Sequence, residues 1–269
     1  MNRKKTLKKS TAKITDTGRV SIPLLAVGKG WLVVDKPAGM SVHNEPGGDL
    51  CSLVSAHILK DAAVREQAAM DPGFGVHPVH RLDRETSGVI LLAVSRDMFR
   101  FFSYQFESHK VAKRYVAILH GILTNPPGSD SWEMWRWPLS KNAGGRNNPE
   151  GSGDLQESLT RYHVLESGTH YTMVEIEPLS GRTHQIRRHA KLAGHPVVGD
   201  ARYGSTRAIN YLRQNRGFDR LALHSRTLTF QPRDGNGPKT VEAPMPEPMR
   251  VLFENDRAVE EDRSIPESS

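Results

Sequence analysis

An unbroken apolar run, Val89–Val94 (VILLAV), constrains the fold of this chain more than any other feature. The run has no polar residue to face solvent, so as a strand it must be buried on both faces. A charged and hydroxyl-rich turn, HRLDRETSG, stands directly before it. Asp83 in that turn would be held rigidly beside a core element, as a catalytic group needs to be. Alternatively, Asp83, Thr86 and Ser87 only satisfy backbone groups in a tight turn.

Other short runs rich in β-forming residues recur along the chain. They are Trp31–Val34, Tyr115–Leu119, Leu159–Val164, Tyr171–Ile176 and Leu221–Phe230. Helical patterns are interspersed at about Leu50–Lys60, Asp97–Phe106, Thr183–Leu192 and Pro246–Phe253. The strands and helices do not alternate regularly, as a parallel sheet would require. We therefore predict an α+β domain with a mainly antiparallel sheet.

The two ends of the chain differ in composition from the part between them. Residues 1–18 carry six Lys or Arg before the first acid, which predicts a disordered basic arm. The arm would either tether RNA or only keep the chain in solution. We predict that residues 255–269 form a disordered acidic tail and that residues 19–254 form the folded domain. Residues 141–154, rich in Gly and Asn, predict an exposed loop that is either a hairpin connection or a segment that moves over a substrate.

Charge and cysteine content narrow the possible partners and the compartment. The formal net charge of +7 over 269 residues favours a polyanionic partner. Cys51 is the single cysteine, so neither an intrachain disulfide nor a thiolate zinc cluster can form. No apolar segment follows the basic N-terminus, and no run approaches the roughly 20 apolar residues of a membrane span. We expect a cytoplasmic monomer with no membrane partner, since no heptad stripe requires a dimer.

A strongly basic segment follows at residues 179–203, LSGRTHQIRRHAKLAGHPVVGDARY. Six Arg, His or Lys side chains fall within ten residues, and no acid lies between Ser180 and Gly199. On a helix, Ile186 and His189 would share one face while Arg188 and Lys191 share another. One face could then bind phosphates while the other serves a site, although such runs are often only a solvated face.

Two sequence patterns that could indicate a bound metal ion or a bound nucleotide are weak. The histidine pairs His77 and His80, and His184 and His189, lack the spacing and partner acids of zinc enzymes. The segment AVGKGW lacks the leading Gly and the Ser or Thr of a phosphate loop. We expect neither a metal nor a nucleotide cofactor.

Four motifs in order resemble one protein family. HRLDRETSG at residues 80–88 is similar to the signature of the RluA family of pseudouridine synthases. VDKPAGMSV at residues 34–42, KRYVAILHG at residues 113–121 and GRTHQIR at residues 181–187 resemble its other motifs. HPVVGDARYG at residues 195–204 and LALHSRTLTF at residues 221–230 resemble the continuation of the third motif and the late core strand. The resemblance covers about residues 31–246.

The resemblance implies a fold and a set of site residues. The fold is the pseudouridine synthase fold, a mainly antiparallel mixed sheet with a central catalytic cleft. Asp83 matches the catalytic aspartate, Tyr115 the active-site tyrosine, and Arg187 the arginine that pairs with the aspartate. The residues implied to contact substrate are His80, Arg81, Thr183, His184 and Ile186, with Ile186 as an apolar wall and Arg81 beside the splayed RNA backbone.

The implied reaction turns uridine into pseudouridine in structured RNA and needs no cofactor. An ionised carboxylate would act as a nucleophile or remove the 2′ proton, and the residues do not choose between these routes. A guanidinium beside a desolvated carboxylate would keep it charged. The doubled basic pair in IRRHAKLAGHP resembles the branch that modifies tRNA, so tRNA, rRNA or both are the expected partners. The segment before Trp31 is too short for an S4-type RNA-binding domain.

Two other functions compete with this one. A noncatalytic RNA-binding protein or chaperone could use the same basic cleft, although phosphate binding gains nothing from a carboxylate such as Asp83. A metal-dependent nuclease or deaminase would need further carboxylates, or Cys and His at ligand spacing, which the sequence does not provide.

Overall fold

The computed structural model describes residues 13–16, 20–123 and 132–263, and side chains for residues 21–123 and 132–257. The strands within these residues are β1 (Lys13–Asp16), β2 (Val20–Gly28), β3 (Trp31–Lys36), β4 (His77–Pro78), β5 (Ser87–Ala93), β6 (Ala112–His120), β7 (Glu133–Trp135), β8 (Leu139–Asn142), β9 (Ser152–Gln156), β10 (Thr160–Ser167), β11 (Tyr171–Pro178), β12 (Leu223–Phe230) and β13 (Lys239–Glu242). The helices are α1 (Leu50–Lys60), α2 (Ala62–Ala68), α3 (Arg96–Glu107), α4 (Gln185–Leu192), α5 (Thr206–Arg216) and α6 (Glu247–Arg263). No helix in this part of the chain is long and apolar enough to cross a bilayer.

Eleven of the strands form one mixed sheet, in the order β1-β2-β3-β5-β12-β6-β11-β10-β7, with β4 paired to β5 and β13 to β12. Every pair in it is antiparallel except β5 with β12. The predicted α+β class with a mainly antiparallel sheet is therefore confirmed. Strand β8 pairs with β9 in a separate hairpin.

Strand β5 is the core element that its apolar sequence predicted. All seven of its residues are buried. Ile90 and Leu92 face one hydrophobic cluster, and Val89 and Leu91 face the other, on the opposite side of the sheet. Because β5 is buried on both faces, it anchors the turn before it to the hydrophobic core.

The parallel seam between β5 and β12 requires a glycine. Gly88 pairs with Ser225 and has φ of 117°, a conformation that side-chain-bearing residues rarely adopt. A Cβ added at Gly88 would lie 2.2 Å from the Ser225 carbonyl oxygen. Strand β12 can therefore approach the start of β5, and the two halves of the sheet meet directly below the HRLDRETSG turn.

Both ends of the chain differ from the predicted boundaries. Strand β1 lies inside the predicted arm and pairs with β2, while residues 1–12, 17 and 18 of that arm are outside the described residues. Helix α6 continues to Arg263, so the predicted tail from residue 255 is wrong over its first nine residues. The helix persists because Leu252 and Phe253 pack in the core and the buried Asp256 carboxylate accepts from the backbone N–H of His170. Residues 264–269 are outside the described residues.

The predicted loop at residues 141–154 belongs to the β8–β9 hairpin. Its backbone carbonyls receive hydrogen bonds from two arginines outside the hairpin. Arg188 donates to Ser140, Pro149 and Glu150, and Arg202 to Ala143 and Gly144. The hairpin alternative is therefore the one observed. Whether the segment also moves over a substrate stays a prediction.

Candidate active site

Asp83 lies in the turn that leads into β5, with its side chain 20% exposed. The turn is closed by the Thr86 N–H donating to the Asp83 carbonyl at 3.1 Å. The carboxylate of Asp83 has a different partner, since its Oδ2 lies 3.1 Å from Nη1 of Arg187. Asp83 therefore contributes to the turn through its backbone and presents its side chain to a cationic partner across the cleft.

Arg187 comes from the first turns of α4 and is almost fully buried. The same guanidinium makes two further bonds to Asp200, at 2.7 Å from Nε and 2.9 Å from Nη2. Burial alone would lower the pKa of Arg187, but its hydrogen bonds to Asp200 and the charges of Asp200 and Asp83 raise it above the ordinary value. Arg187 is therefore a fixed cation.

Asp200 is the site residue that the sequence analysis missed. It is fully buried, and besides Arg187 its Oδ1 accepts from the backbone N–H groups of Arg202 and Tyr203. Its place in GDARYG, directly after the acid-free stretch, was the available signal. Such a bidentate pair fixes the plane of a guanidinium, so Asp200 orients the Arg187 group that reaches Asp83.

A cavity of about 410 Å³ opens beside Asp83 and is lined on its apolar side by Tyr115, Ile186 and Leu223. Tyr115 comes from β6 and Leu223 from the start of β12, the strand between β6 and β5. Burial, with a smaller contribution from the Asp83 charge, raises the pKa of Tyr115 well above its ordinary value. The phenol is therefore neutral near pH 7 and offers an apolar ring face.

Two histidines, His80 and His184, line this cavity and make different contacts. His80 stacks on Phe106, and its Nε2 accepts the backbone N–H of Leu91 at 3.0 Å. Burial lowers the pKa of His80 to about 3, so the ring is neutral and holds the turn against β5. The Nε2 of His184 lies 3.8 Å from Asp83 and its Nδ1 lies 3.0 Å from the Tyr203 hydroxyl. Burial lowers the pKa of His184 as well.

The remaining predicted contact residues are Arg81 and Thr183, which are both exposed and both line the Tyr115 cavity. Thr183 also gives its backbone carbonyl to the Arg188 guanidinium at 3.2 Å. All eight predicted site residues therefore border one cavity: Asp83, Tyr115, Arg187, His80, Arg81, Thr183, His184 and Ile186.

Asp83 also borders a second, larger cavity of about 670 Å³. The two cavities share Arg81, Leu82, Asp83, His184 and Arg187, so the carboxylate stands at their junction. The larger cavity is lined by three more arginines, Arg84, Arg202 and Arg220. This cavity is polar and cationic, whereas the one at Tyr115 has an apolar wall.

A buried lysine, Lys36, supports the turn that carries Asp83. Its ammonium donates to the carbonyl oxygens of Pro37, Met40 and Arg84 at 2.7 to 3.0 Å. Burial lowers the pKa of Lys36 to about 8, and the nearby charge of Asp83 limits the shift. Lys36 therefore joins the loop after β3 to the turn before β5.

The structure corrects the interpretation of the basic segment as a phosphate-binding helix. Arg187 is paired with three acids, Asp83, Glu85 and Asp200. The fully buried Arg188 uses its guanidinium on backbone carbonyls. His189 is also buried, bonded to Thr160 and to the Trp137 carbonyl. These three residues support the site and the hairpin, and none of them presents a charge to solvent.

Among the described residues, no group of three or more His, Cys, Asp or Glu is arranged to hold a metal ion.

The sequence matches the RNA pseudouridylate synthase family over residues 30–192. The tRNA pseudouridine synthase C of Haemophilus ducreyi is 35% identical over 74% of this chain and 81% of that protein. The ribosomal large subunit pseudouridine synthase C of Vibrio vulnificus is 35% identical over 83% of this chain and 66% of that protein. The fold resembles that of human RNA pseudouridylate synthase domain containing 4, with a TM-score of 0.67 and 23% identity over 87% of this chain and 92% of that one.

An aspartate held by a buried arginine beside a tyrosine-lined cavity, at the middle of this sheet, agrees with that match. The chain belongs to the RNA pseudouridylate synthase family. It is therefore an isomerase that acts on RNA, and the family and fold that the four motifs implied are confirmed.

Proposed function

We propose that this chain isomerises specific uridines in tRNA, rRNA or both, with Asp83 as the catalytic carboxylate. One relative is named for tRNA and another for the large ribosomal subunit, which supports these two substrate classes. The observation that carries the assignment of Asp83 is its contact with Arg187. The two residues are 104 positions apart in the sequence, yet their side chains meet at 3.1 Å on the wall of a cavity that also holds Tyr115.

The target uridine enters the Tyr115 cavity only after it leaves the RNA stack. Extrusion costs roughly a few kcal/mol of unstacking, and least where the base is already single-stranded. Loops and bulges are therefore the favoured targets. Ile186 and Leu223 provide an apolar surface for the uracil, and the exposed Arg81 lies where it can hold the displaced backbone or fill the vacated stack.

The reaction breaks the N1–C1′ bond, turns the base, and joins C5 to C1′; the C5 proton is lost and N1 gains one. Asp83 acts either by attacking the sugar or base, or by removing the 2′ proton. Both routes need an ionised carboxylate, and the fixed cation of Arg187 favours that form in a partly desolvated site. No oxidant, reductant or hydrolytic water is consumed, so the proposed reaction needs no metal or nucleotide cofactor. We also propose that the enzyme is a monomer and acts in the cytoplasm.

Tyr115 serves mainly as a stacking surface in this proposal. Its raised pKa keeps the phenol protonated near pH 7, so it is a poor base in the phenolate form. His184 is close enough to Asp83 to contact the ribose beside it. Thr183 borders the same cavity from the loop before α4, and His80 shapes its floor through its bond to the Leu91 N–H.

The experiment that tests this proposal is incubation of the purified protein, in chelator, with total tRNA and rRNA from a strain that lacks the gene. Pseudouridine is then mapped at nucleotide resolution. New sites in chelator would support the proposal and exclude a metal-dependent nuclease or deaminase. RNA binding without any new site would favour a noncatalytic RNA-binding protein instead.

The matched variant is Asp83→Asn, which removes the reacting carboxylate and nearly preserves its shape. We expect isomerisation to be lost while RNA affinity stays within a few fold of the wild type, because Asp83 contributes no phosphate contact. Pseudouridine formation and RNA binding are measured on the same preparations. Turnover by the variant would contradict the role assigned to Asp83.

A further inference from the structure

The charge of helix α4 does not explain how this protein holds a polyanion. Arg187 is paired with acids and Arg188 is buried against carbonyls. Affinity for RNA depends mainly on cations that can reach phosphates. The phosphate contacts outside the reacting nucleotide must therefore come from other residues, and the exposed arginines next to the larger cavity are the first to consider.

Helix α5 begins four residues after Arg202, which lines the larger cavity, and the helix is unusually basic. It carries Arg207, Arg213 and Arg216, all exposed, and its one buried residue is Leu212. No acid occurs between Asp200 and Asp219. Among the described residues, the ion pairs formed by arginines do not include these three. The helix therefore presents uncompensated positive charge over about 15 Å.

Stability of the helix itself explains only part of this charge. Arg213 and Arg216 lie in the last turn, where a cation interacts favourably with the helix dipole. Arg207 is the second residue of the helix, after Thr206 and the N-cap residue Ser205. A cation in this first turn interacts unfavourably with the helix dipole. The position of Arg207 is understandable if an anion binds beside it.

The hairpin loop beside the start of α5 adds further cations. Arg146 donates from Nη2 to the Thr206 hydroxyl at 3.1 Å, which brings its guanidinium to the first turn of the helix. The Nε of Arg146 is buried, and it has no hydrogen-bond partner among the described residues. Arg146 therefore brings a further guanidinium to the first turn of α5, near Arg207.

Arg202 connects this region to the catalytic site. It lines the larger cavity at Asp83, and it also lines a separate opening of about 400 Å³ bordered by Gly145 and Arg146. Arg202 thus stands between the catalytic cavity and the cations around α5. A strand of RNA that leaves the catalytic cavity past Arg202 would meet Arg146 and Arg207 next.

We propose that Arg146, Arg202, Arg207 and Arg213 form a phosphate-binding track for the RNA strand that flanks the target uridine. This track runs from the larger cavity, between the β8–β9 hairpin and α5, and along α5. It deepens the proposed function and rests on it, because it assigns part of the RNA contact to residues outside the catalytic cavity. It also gives Arg188 a positioning role, since Arg188 holds the hairpin in place.

The test is the double variant Arg207→Gln with Arg213→Gln, which keeps good helix formers in place. Binding of poly(U) is measured over a salt series. Each lost phosphate contact should reduce the slope of log K against log salt by about 0.7 for a single strand, so we expect a reduction of about 1.4. The matched control is Arg65→Gln with Arg100→Gln, two exposed arginines that line neither cavity. An unchanged slope in the α5 variant, or an equal change in the control, would overturn the track.

A second measurement uses the RNA in which the wild type forms pseudouridine. The KM of the α5 variant should rise about tenfold on the whole RNA and stay equal to that of the wild type on the loop trimmed to its closing base pairs. An equal loss on both RNAs would show that the substitutions act on the catalytic cavity and not on a track. If the wild type forms no pseudouridine in any RNA, the proposed function fails, while the poly(U) series still tests the track by itself.

Discussion

Arg187 interacts with three acids, Asp83, Glu85 and Asp200, and the different exposure of Asp83 and Asp200 decides what each of these two pairs contributes. Asp200 is fully buried and bidentate, whereas Asp83 is 20% exposed and receives one bond. The Asp200 pair therefore sets the position of the guanidinium. The Asp83 pair leaves one carboxylate edge free to face a substrate. A single guanidinium can thus be rigid on one side and available to the reacting group on the other.

The energetic consequence can be tested with a double-mutant cycle on Arg187 and Asp200. Arg187→Gln leaves Asp200 buried and unpaired, which should lower the free energy of unfolding by about 3–5 kcal/mol. Asp200→Asn should also destabilise, since it frees a buried cation. In the double variant both charges are gone, so its loss should be smaller than the sum of the two by at least about 1 kcal/mol. Urea unfolding of the four proteins gives these values.

Additive losses in that cycle would contradict the pairing, because independent sites add within about 0.5 kcal/mol. The positioning role needs a separate measurement. Asp200→Asn should lower kcat for pseudouridine formation more than it raises KM, because it displaces Arg187 from Asp83 and leaves the residues proposed to contact phosphates intact. A loss confined to KM would assign Asp200 to the fold alone.

The sequence could predict some of these residues and not others. The position of Asp83 before an apolar strand made it a candidate, but its catalytic role and its pairing with Arg187 came from family resemblance, since nothing local joins positions 104 apart. Asp200 was missed because the segment was examined for cations. The basic run with Arg188 was considered for phosphate binding, because nothing in the sequence shows that carbonyls of the β8–β9 hairpin are the partners of Arg188.

At the scale of elements, prediction succeeded where burial gave a periodic pattern. Helix α1 has the predicted bounds, Leu50–Lys60, because Leu50, Val54 and Ile58 repeat along one buried face. Helix α5 was missed because it buries only Leu212, and strand β9 because all five of its residues are exposed. Elements held mainly by hydrogen bonds and side-chain contacts from elsewhere leave little pattern in their own sequence.

Helix α6 provides a prediction at this scale, because residues expected to be disordered hold the β10–β11 turn. The Asp256 carboxylate accepts from the backbone N–H groups of His170 and Tyr171 and from the His170 ring. Asp256→Ala would leave the buried Tyr171 N–H unpaired and remove the bonds to the more exposed His170, so we expect a loss of about 1–3 kcal/mol in unfolding free energy. Thermal and urea unfolding measure it. Glu254→Ala, at an exposed position of the same helix, is the control and should change stability by less than about 0.5 kcal/mol.

At the scale of the whole molecule, the parallel pairing of β5 with β12 joins the two halves of the sheet and places the site. The turn with Asp83 enters the seam from one side, and Tyr115 lies on β6, the next strand on the other. The predicted central cleft is therefore a property of strand order. No local pattern encodes that order, since β5 and β12 are more than a hundred residues apart, and it became predictable only through family resemblance.

The seam should also make folding stability depend on pH, through His224. This residue is fully buried on β12, bonded to the Ser87 hydroxyl at 2.8 Å, and burial lowers its pKa to about 4. Between about pH 6.5 and 4 the unfolded chain binds a proton at this position that the folded chain does not. The contribution of neutral His224 is therefore complete above about pH 6.5 and is lost on acidification, by up to about 3 kcal/mol.

Asp35 acts in the opposite direction, because burial raises its carboxyl pKa to about 6 and the folded state then holds the extra proton. The total unfolding free energy therefore combines both effects. The effect of His224 is isolated by the difference in unfolding free energy between the wild type and His224→Gln, because Asp35 is present in both proteins. We expect that difference in unfolding free energy, measured by urea titration from pH 7 to pH 4, to shrink steadily as the pH falls. The same substitution at the exposed His43 is the control for the exchange of His for Gln. If the difference in unfolding free energy for His224 did not change with pH, this histidine would be charged in the folded protein at low pH. That outcome would contradict the neutral ring that the hydrogen bonds to Ser87 and Ala243 indicate.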